Sequence, residues 1–117
     1  MTRSLLLLAT LAGITTGSNA QQTGDLDPTF GVGGIVITDF HGEFDMSFDG
    51  VIQPDGRVVL AGQAWIDSVR HFALARYMPN GELDTSFGIG GLVTTFVGTW
   101  GRAEAVALQP DGGIVVA

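Results

Sequence analysis

His41, Glu43 and Asp45 place an imidazole and two carboxylates within five residues, a set that could ligate a metal or act as acid and base. The spacing matches no ligand signature, such as two histidines on one helical face, and a solvated loop is the preferred reading. Asp25, Asp27 and Asp84 stand near glycines in a way that suggests calcium. The stretch beginning at Asp25 has Phe30 where an EF-hand loop needs glycine and Val36 where it needs glutamate, which excludes that loop. Asp27 and Asp84 are instead expected to accept backbone N–H bonds in the turns containing Thr29 and Ser86. Arg76 interrupts an apolar run and should be paired; Asp27 or Asp84 is the expected partner, stitching this strand to a neighbouring unit of the fold. Trp65, Trp100 and Phe44 fall in or beside loops, where aromatics stack on sugars, fill a partner's pocket or cap the core, the last being preferred. Trp100 joins the loop residues as a weak candidate.

The chain has no cysteine nucleophile, no serine in a Gly-x-Ser-x-Gly setting, and no glycine-rich loop leading into a helix that could hold phosphate. No catalytic, cofactor-binding or metal-ligating residue is assigned, and no cofactor is expected.

The elements that must position these residues follow from an internal repeat. Leu26-Asp27-Pro28-Thr29-Phe30-Gly31-Val32-Gly33-Gly34 returns as Leu83-Asp84-Thr85-Ser86-Phe87-Gly88-Ile89-Gly90-Gly91 at a spacing of 57. Gln53-Pro54-Asp55-Gly56 returns as Gln109-Pro110-Asp111-Gly112 at a spacing of 56. One residue is therefore lost in the dissimilar stretch between, as a surface loop tolerates. Pro54-Asp55-Gly56, Pro79-Asn80-Gly81 and Pro110-Asp111-Gly112 are turns: proline presets φ, Asp or Asn bonds the local backbone, and Gly56, Gly81 and Gly112 take the positive φ. Between the turns, short strands are expected at 34–40, 47–52, 57–64 and 71–77, and the series restarts at 91–97. Phe48-Asp49-Gly50 departs from the second copy and suggests a bulge at Gly50.

Val58 and Leu60 alternate with Val59 and Ala61, and Phe72 and Leu74 with Ala73 and Ala75, so neither strand has a solvent face. A four-stranded unit repeated at this period, apolar on both faces, is the plan of a β-propeller blade. The fold class expected is all-β, with tandem four-stranded propeller-type blades, about one and a half repeats of them.

The strings LDTSFGIGG, AVALQPDGGIVVA, VVLAG and FALARYMPNGELD, in that family's order, resemble the bacterial delta-60 repeat, a propeller-like repeat of unknown function. The resemblance covers nearly all of 26–117. It implies tandem blades in a secreted or surface protein and carries over no catalytic residue.

Arg3, the apolar run LLLLATLAGI and Ser18-Asn19-Ala20 read as a cleaved export signal over 1–20. A short leader at 21–25, a first repeat at 26–82 read as a complete blade, and a truncated second repeat at 83–117 follow. The formal net charge is −7, with twelve acidic residues and no lysine. Beyond residue 20, four arginines against twelve carboxylates leave about −8, which disfavours nucleic acid and anionic membranes as partners. No membrane span is expected, and the absence of cysteine leaves stability to packing. The sequence thus predicts a secreted, periplasmic or surface scaffold without catalysis, a fragment of a longer chain. Its expected partners are adjacent repeats or copies joined through open strand edges, with a protein or carbohydrate ligand. The alternative is a secreted, carbohydrate-active propeller enzyme whose acidic residues converge from several blades.

Overall fold

The computed structural model describes residues 5–8, 22–40 and 43–117, the first of these as backbone only. Apart from 5–8, the export-signal reading lies outside the described residues, as does His41. The described chain is all-β, without helices. In order, its strands are β1 (Leu5–Leu8), β2 (Ile35–Thr38), β3 (Asp45–Ile52), β4 (Val58–Ile66), β5 (Val69–Tyr77), β6 (Leu92–Thr95), β7 (Val106–Leu108) and β8 (Ile114–Val116). β3-β4-β5-β6 form an antiparallel sheet, flanked by the pairs β1-β2 and β7-β8.

The sheet and the sequence repeat are out of phase by one strand. The strand that opens the first repeat, β2, lies outside the four-stranded sheet, and its counterpart from the second repeat, β6, supplies the fourth strand. The sheet therefore runs across the boundary between the repeats.

Both faces of this sheet are covered, as the doubly apolar strands require. Leu60, Ala64, Ala73, Ala75 and Tyr77 face Phe30, Phe40 and Val36 on the β2 side. Val59 and Ala61, with Val51, Phe72 and Leu74, face Ala103, Val106, Ile114 and Val116 on the β7-β8 side. Burying each valine- or leucine-sized side chain contributes about 1.5–3 kcal/mol, so a sheet covered on one face only would forfeit much of its stability. Hydrogen bonds register the layers. Tyr77 Oη donates to Thr38 Oγ1 at 2.8 Å, and Val106 N donates to Asp49 Oδ2 at 2.9 Å.

The bulge sits at Phe48, not Gly50. Ser47 pairs with Gly62 and Asp49 with Ala61, which leaves Phe48 as the extra residue. Gly50 remains in the ladder opposite Leu60, and a Cβ there would lie 2.7 Å from Leu60 Cδ2. Glycine at this position makes room for a core side chain.

The three Pro-Asp/Asn-Gly segments fold identically. Gly56, Gly81 and Gly112 have φ of 85°, 89° and 89° and donate to the carbonyls of Gln53, Met78 and Gln109 at 2.9–3.0 Å. Asp55, Asn80 and Asp111 accept from the backbone N–H two residues on, each at 3.0 Å. The β4-β5 hairpin is different: it turns on Asp67 and Ser68 at φ 50° and 63°, without a glycine.

Candidate functional site

Two constellations of side chains stand out, one inside the turns and one at the hairpin end of the sheet. The first centres on Asp84, whose carboxylate is almost wholly buried in the turn before β6. Oδ2 accepts from Arg57 Nε and Arg76 Nε, each at 2.8 Å, while Oδ1 accepts from Ser86 Oγ at 2.6 Å and Ser86 N at 3.1 Å. The Ser86 hydroxyl, the Ser86 N–H and the Arg76 guanidinium hold its pKa down at about 2, from an ordinary 3.8, against the opposing effect of burial. Arg76 also lies over the Phe87 ring at 4.4 Å.

Arg76 sits on β5 and Asp84 in the connection from β5 to β6, so the pair ties an outer turn to its own sheet. The expectation that it would stitch the strand to a neighbouring blade is corrected by the one-strand shift between repeat and sheet. Arg57 joins from the residue just before β4, a partner that sequence reasoning missed. Its position directly after a Pro-Asp-Gly turn, leading into the strand that pairs with that of Arg76, was the available signal. Asp27 accepts Thr29 N and Thr29 Oγ1 at 2.9 and 2.6 Å, which lowers its pKa, but no arginine reaches it among the described residues.

Among the described residues, the loop candidates Glu43 and Asp45 take separate backbone partners. Glu43 turns toward the β4-β5 hairpin, where its carboxylate oxygens accept from Ser68 N at 3.3 and 3.4 Å. Asp45, at the start of β3, is buried and accepts from Phe40 N at 3.0 Å. Both carboxylates fasten backbone. Among the described residues no three His, Asp or Glu side chains are grouped to hold a metal ion.

Trp100 lies in the loop between β6 and β7, on a tight turn closed by Gly101 N donating to Gly98 O at 3.2 Å. It is 77% exposed. Arg70, the second residue of β5, brings its guanidinium carbon to 4.7 Å from the Trp100 ring and 5.4 Å from the Trp65 ring. Trp65 and Arg70 are cross-strand partners in the hairpin. Each such contact contributes about 0.5–1 kcal/mol at an exposed site. Arg57, Arg76 and Arg102 each hold a carboxylate, but no carboxylate lies within ion-pair distance of Arg70 among the described residues. Its Nε is buried without a hydrogen-bond partner. Phe96 and Val97, both exposed, follow β6, and Phe96 packs on His71 at 5.6 Å between ring centroids, on the face of β5 opposite to Arg70.

This cluster can stack a ring and donate to an anion, and it contains both tryptophans of the chain. The sequence singled out Trp65 and Trp100 separately but missed Arg70; an arginine one turn away from a loop tryptophan was the only local hint. A separate open groove of about 430 Å³, lined by Phe40, Ile89, Leu92 and Val93, is mainly apolar and has no ionisable residue in its lining.

Residues 53–87 match the family model described as a domain of unknown function, DUF5122, of β-propeller type. The matched segment begins at the first Pro-Asp-Gly turn and ends just past Asp84, so Arg57, Arg76 and Asp84 all lie within it. No curated protein and no solved structure matches the chain.

Proposed function

With residues 53–87 those of a propeller-type repeat, we propose that the protein is an exported scaffold that binds without catalysis, presenting loops from the ends of its sheets. The observation that carries this reading is the dispersal of the carboxylates. Asp27, Asp55, Asp84 and Asp111 each accept backbone N–H bonds in separate turns, Asp45 and Glu43 do so in different directions, and Asp49 bonds to Val106 N. An enzyme of acid–base type needs such groups convergent on one pocket; carboxylates that accept backbone N–H bonds in turns, two of them (Asp55 and Asp84) also tied by Arg57, build a frame instead.

Its partners, on this reading, are further repeats. β1 lies on β2 with Leu5 opposite Thr38 and Leu8 opposite Ile35, and β5 lies on β6 with Phe72 opposite Thr95 and Ala75 opposite Leu92. Since Thr38 and Thr95 are 57 residues apart, as are Ile35 and Leu92, the two pairings share one register. β2 is thus an outer strand whose inner edge takes a strand of the β5 kind. Once the leader is removed, that edge is open to another repeat of a longer chain or to a second copy.

The test is to isolate the protein from the producing cells with an antibody to residues 53–80 and measure its location and intact mass. Material outside the cytoplasm that lacks residues 1–20 supports export, and a mass several times that of 21–117 supports joining to further repeats within one chain. Cytoplasmic material with an intact leader overturns export. Turnover of oligosaccharides that Asp→Asn substitutions abolish would favour the enzyme alternative.

A further inference from the structure

We propose that Trp65, Arg70 and Trp100 form a binding site for a uronate residue of an acidic polysaccharide; this deepens, and rests on, the reading of the protein as a noncatalytic binding scaffold. Three observations carry it. Arg70 is held over two indoles and, unlike Arg57, Arg76 and Arg102, has no carboxylate partner among the described residues. Its Nε is already removed from water with nothing to bond, so a ligand anion must be met by the terminal nitrogens, a planar pair suited to a carboxylate. Trp100 leaves 77% of its surface in water, so its indole is open to a ligand ring.

A pyranose ring offers an apolar C–H face that stacks on an indole, and a uronate adds a carboxylate at its edge. Stacking on Trp100 with the carboxylate turned toward Arg70 uses both features at once. A neutral sugar would leave the guanidinium unmatched, and a lone carboxylate would leave the indole unused. The net charge of −7 gives no long-range attraction for a polyanion, so recognition resides in this local contact.

Because the chain has only two tryptophans and both adjoin Arg70, intrinsic fluorescence of the intact protein reports occupancy directly. The titrants are oligogalacturonate, a neutral galactose oligomer of equal length, and a short peptide ending in a free carboxylate. The expected result is a saturable change with oligogalacturonate, at least about ten-fold weaker with the neutral oligomer and with the peptide. Arg70→Lys, which keeps the charge but loses the fork, should weaken binding by about ten-fold or more. Trp100→Ala, on an exposed loop, should abolish it when followed through Trp65, and Arg102→Gln should leave it unchanged.

Equal response to the neutral oligomer, a tighter response to the peptide, indifference to Arg70→Lys, or no response to any titrant overturns the assignment. Should Arg70→Lys alter folding, as judged by circular dichroism, Arg70→Gln and the Trp100 variant carry the comparison. A silent titration removes the site but leaves the exported scaffold reading untouched. Cleavage of the bound oligomer would confirm the site while overturning the noncatalytic reading.

Discussion

Asp27 and Asp84 occupy the same position of the repeat, 57 residues apart, yet Asp84 receives two arginine Nε donors and Asp27 receives none among the described residues. The difference follows from the sheet. Asp84 precedes β6, whose neighbour β5 brings Arg76 and beyond which the turn into β4 brings Arg57, whereas Asp27 precedes β2, which lies outside that sheet. Equivalent residues thus carry different energetic weight. Asp84→Asn should lower the thermal midpoint several-fold more than Asp27→Asn, because it removes a buried anion shared by two arginines and strands the partly buried Arg76, while Arg57 keeps Asp55. Circular dichroism melts of the two variants at pH 7 make the comparison; equal shifts would refute it.

The same carboxylate sets a pH dependence. The fold depresses the Asp84 pKa from 3.8 to about 2. A depressed pKa contributes stability that is fully present above the unfolded value and lost as pH falls through the folded one. Stability should therefore decline between about pH 4 and pH 2, and Asp84→Asn should show a shallower decline across that window. Asp27 and Asp55, also lowered, account for part of the remaining slope. Denaturant midpoints measured at intervals of pH would settle the comparison.

Tyr77 is fully buried and its hydroxyl bonds Thr38 across the two layers. Tyr77→Phe removes that donor and leaves the buried Thr38 hydroxyl without it, at a cost of about 1–2 kcal/mol. Adding Thr38→Val should recover part of the loss, since an apolar pair replaces a broken polar one. Urea denaturation of the single and double variants gives the coupling, and strict additivity would argue against the bond.

Gly81 and Gly112 share a φ of 89° but differ in surroundings. A Cβ on Gly81 would lie 2.5 Å from Gly31 N and 2.9 Å from Val36 Cγ2, whereas one on Gly112 meets nothing within 4 Å. Gly112→Ala should cost about 1 kcal/mol from backbone conformation alone. Gly81→Ala should cost more, roughly 2–4 kcal/mol in all, because the turn must also back away from Gly31 and from Val36 on β2. Equal denaturation midpoints for the two variants would contradict this account.

The turns and the doubly apolar strands were legible because their causes are local. A Pro-Asp-Gly segment presets its own dihedrals, and the alternation at Val58, Val59, Leu60 and Ala61 shows two buried faces without reference to anything distant. The β4-β5 hairpin was not legible. Its turn residues, Asp67 and Ser68, adopt positive φ without the glycine that would announce it, so Trp65 and Arg70 could not be placed opposite one another. Trp100 could be flagged as a loop aromatic, but its arginine lies thirty residues away in sequence.

By itself the sequence determined the all-β class, the positions of the turns and the repeat, because local dihedral preference and strand alternation are written residue by residue. Only the tertiary structure decided that the fourth strand comes from the next repeat, which arginines reach Asp84, and that Arg70 sits over both indoles. Strand partnership is a long-range choice among segments of similar pattern, settled by which arrangement covers both faces of the β4-β5 hairpin at once.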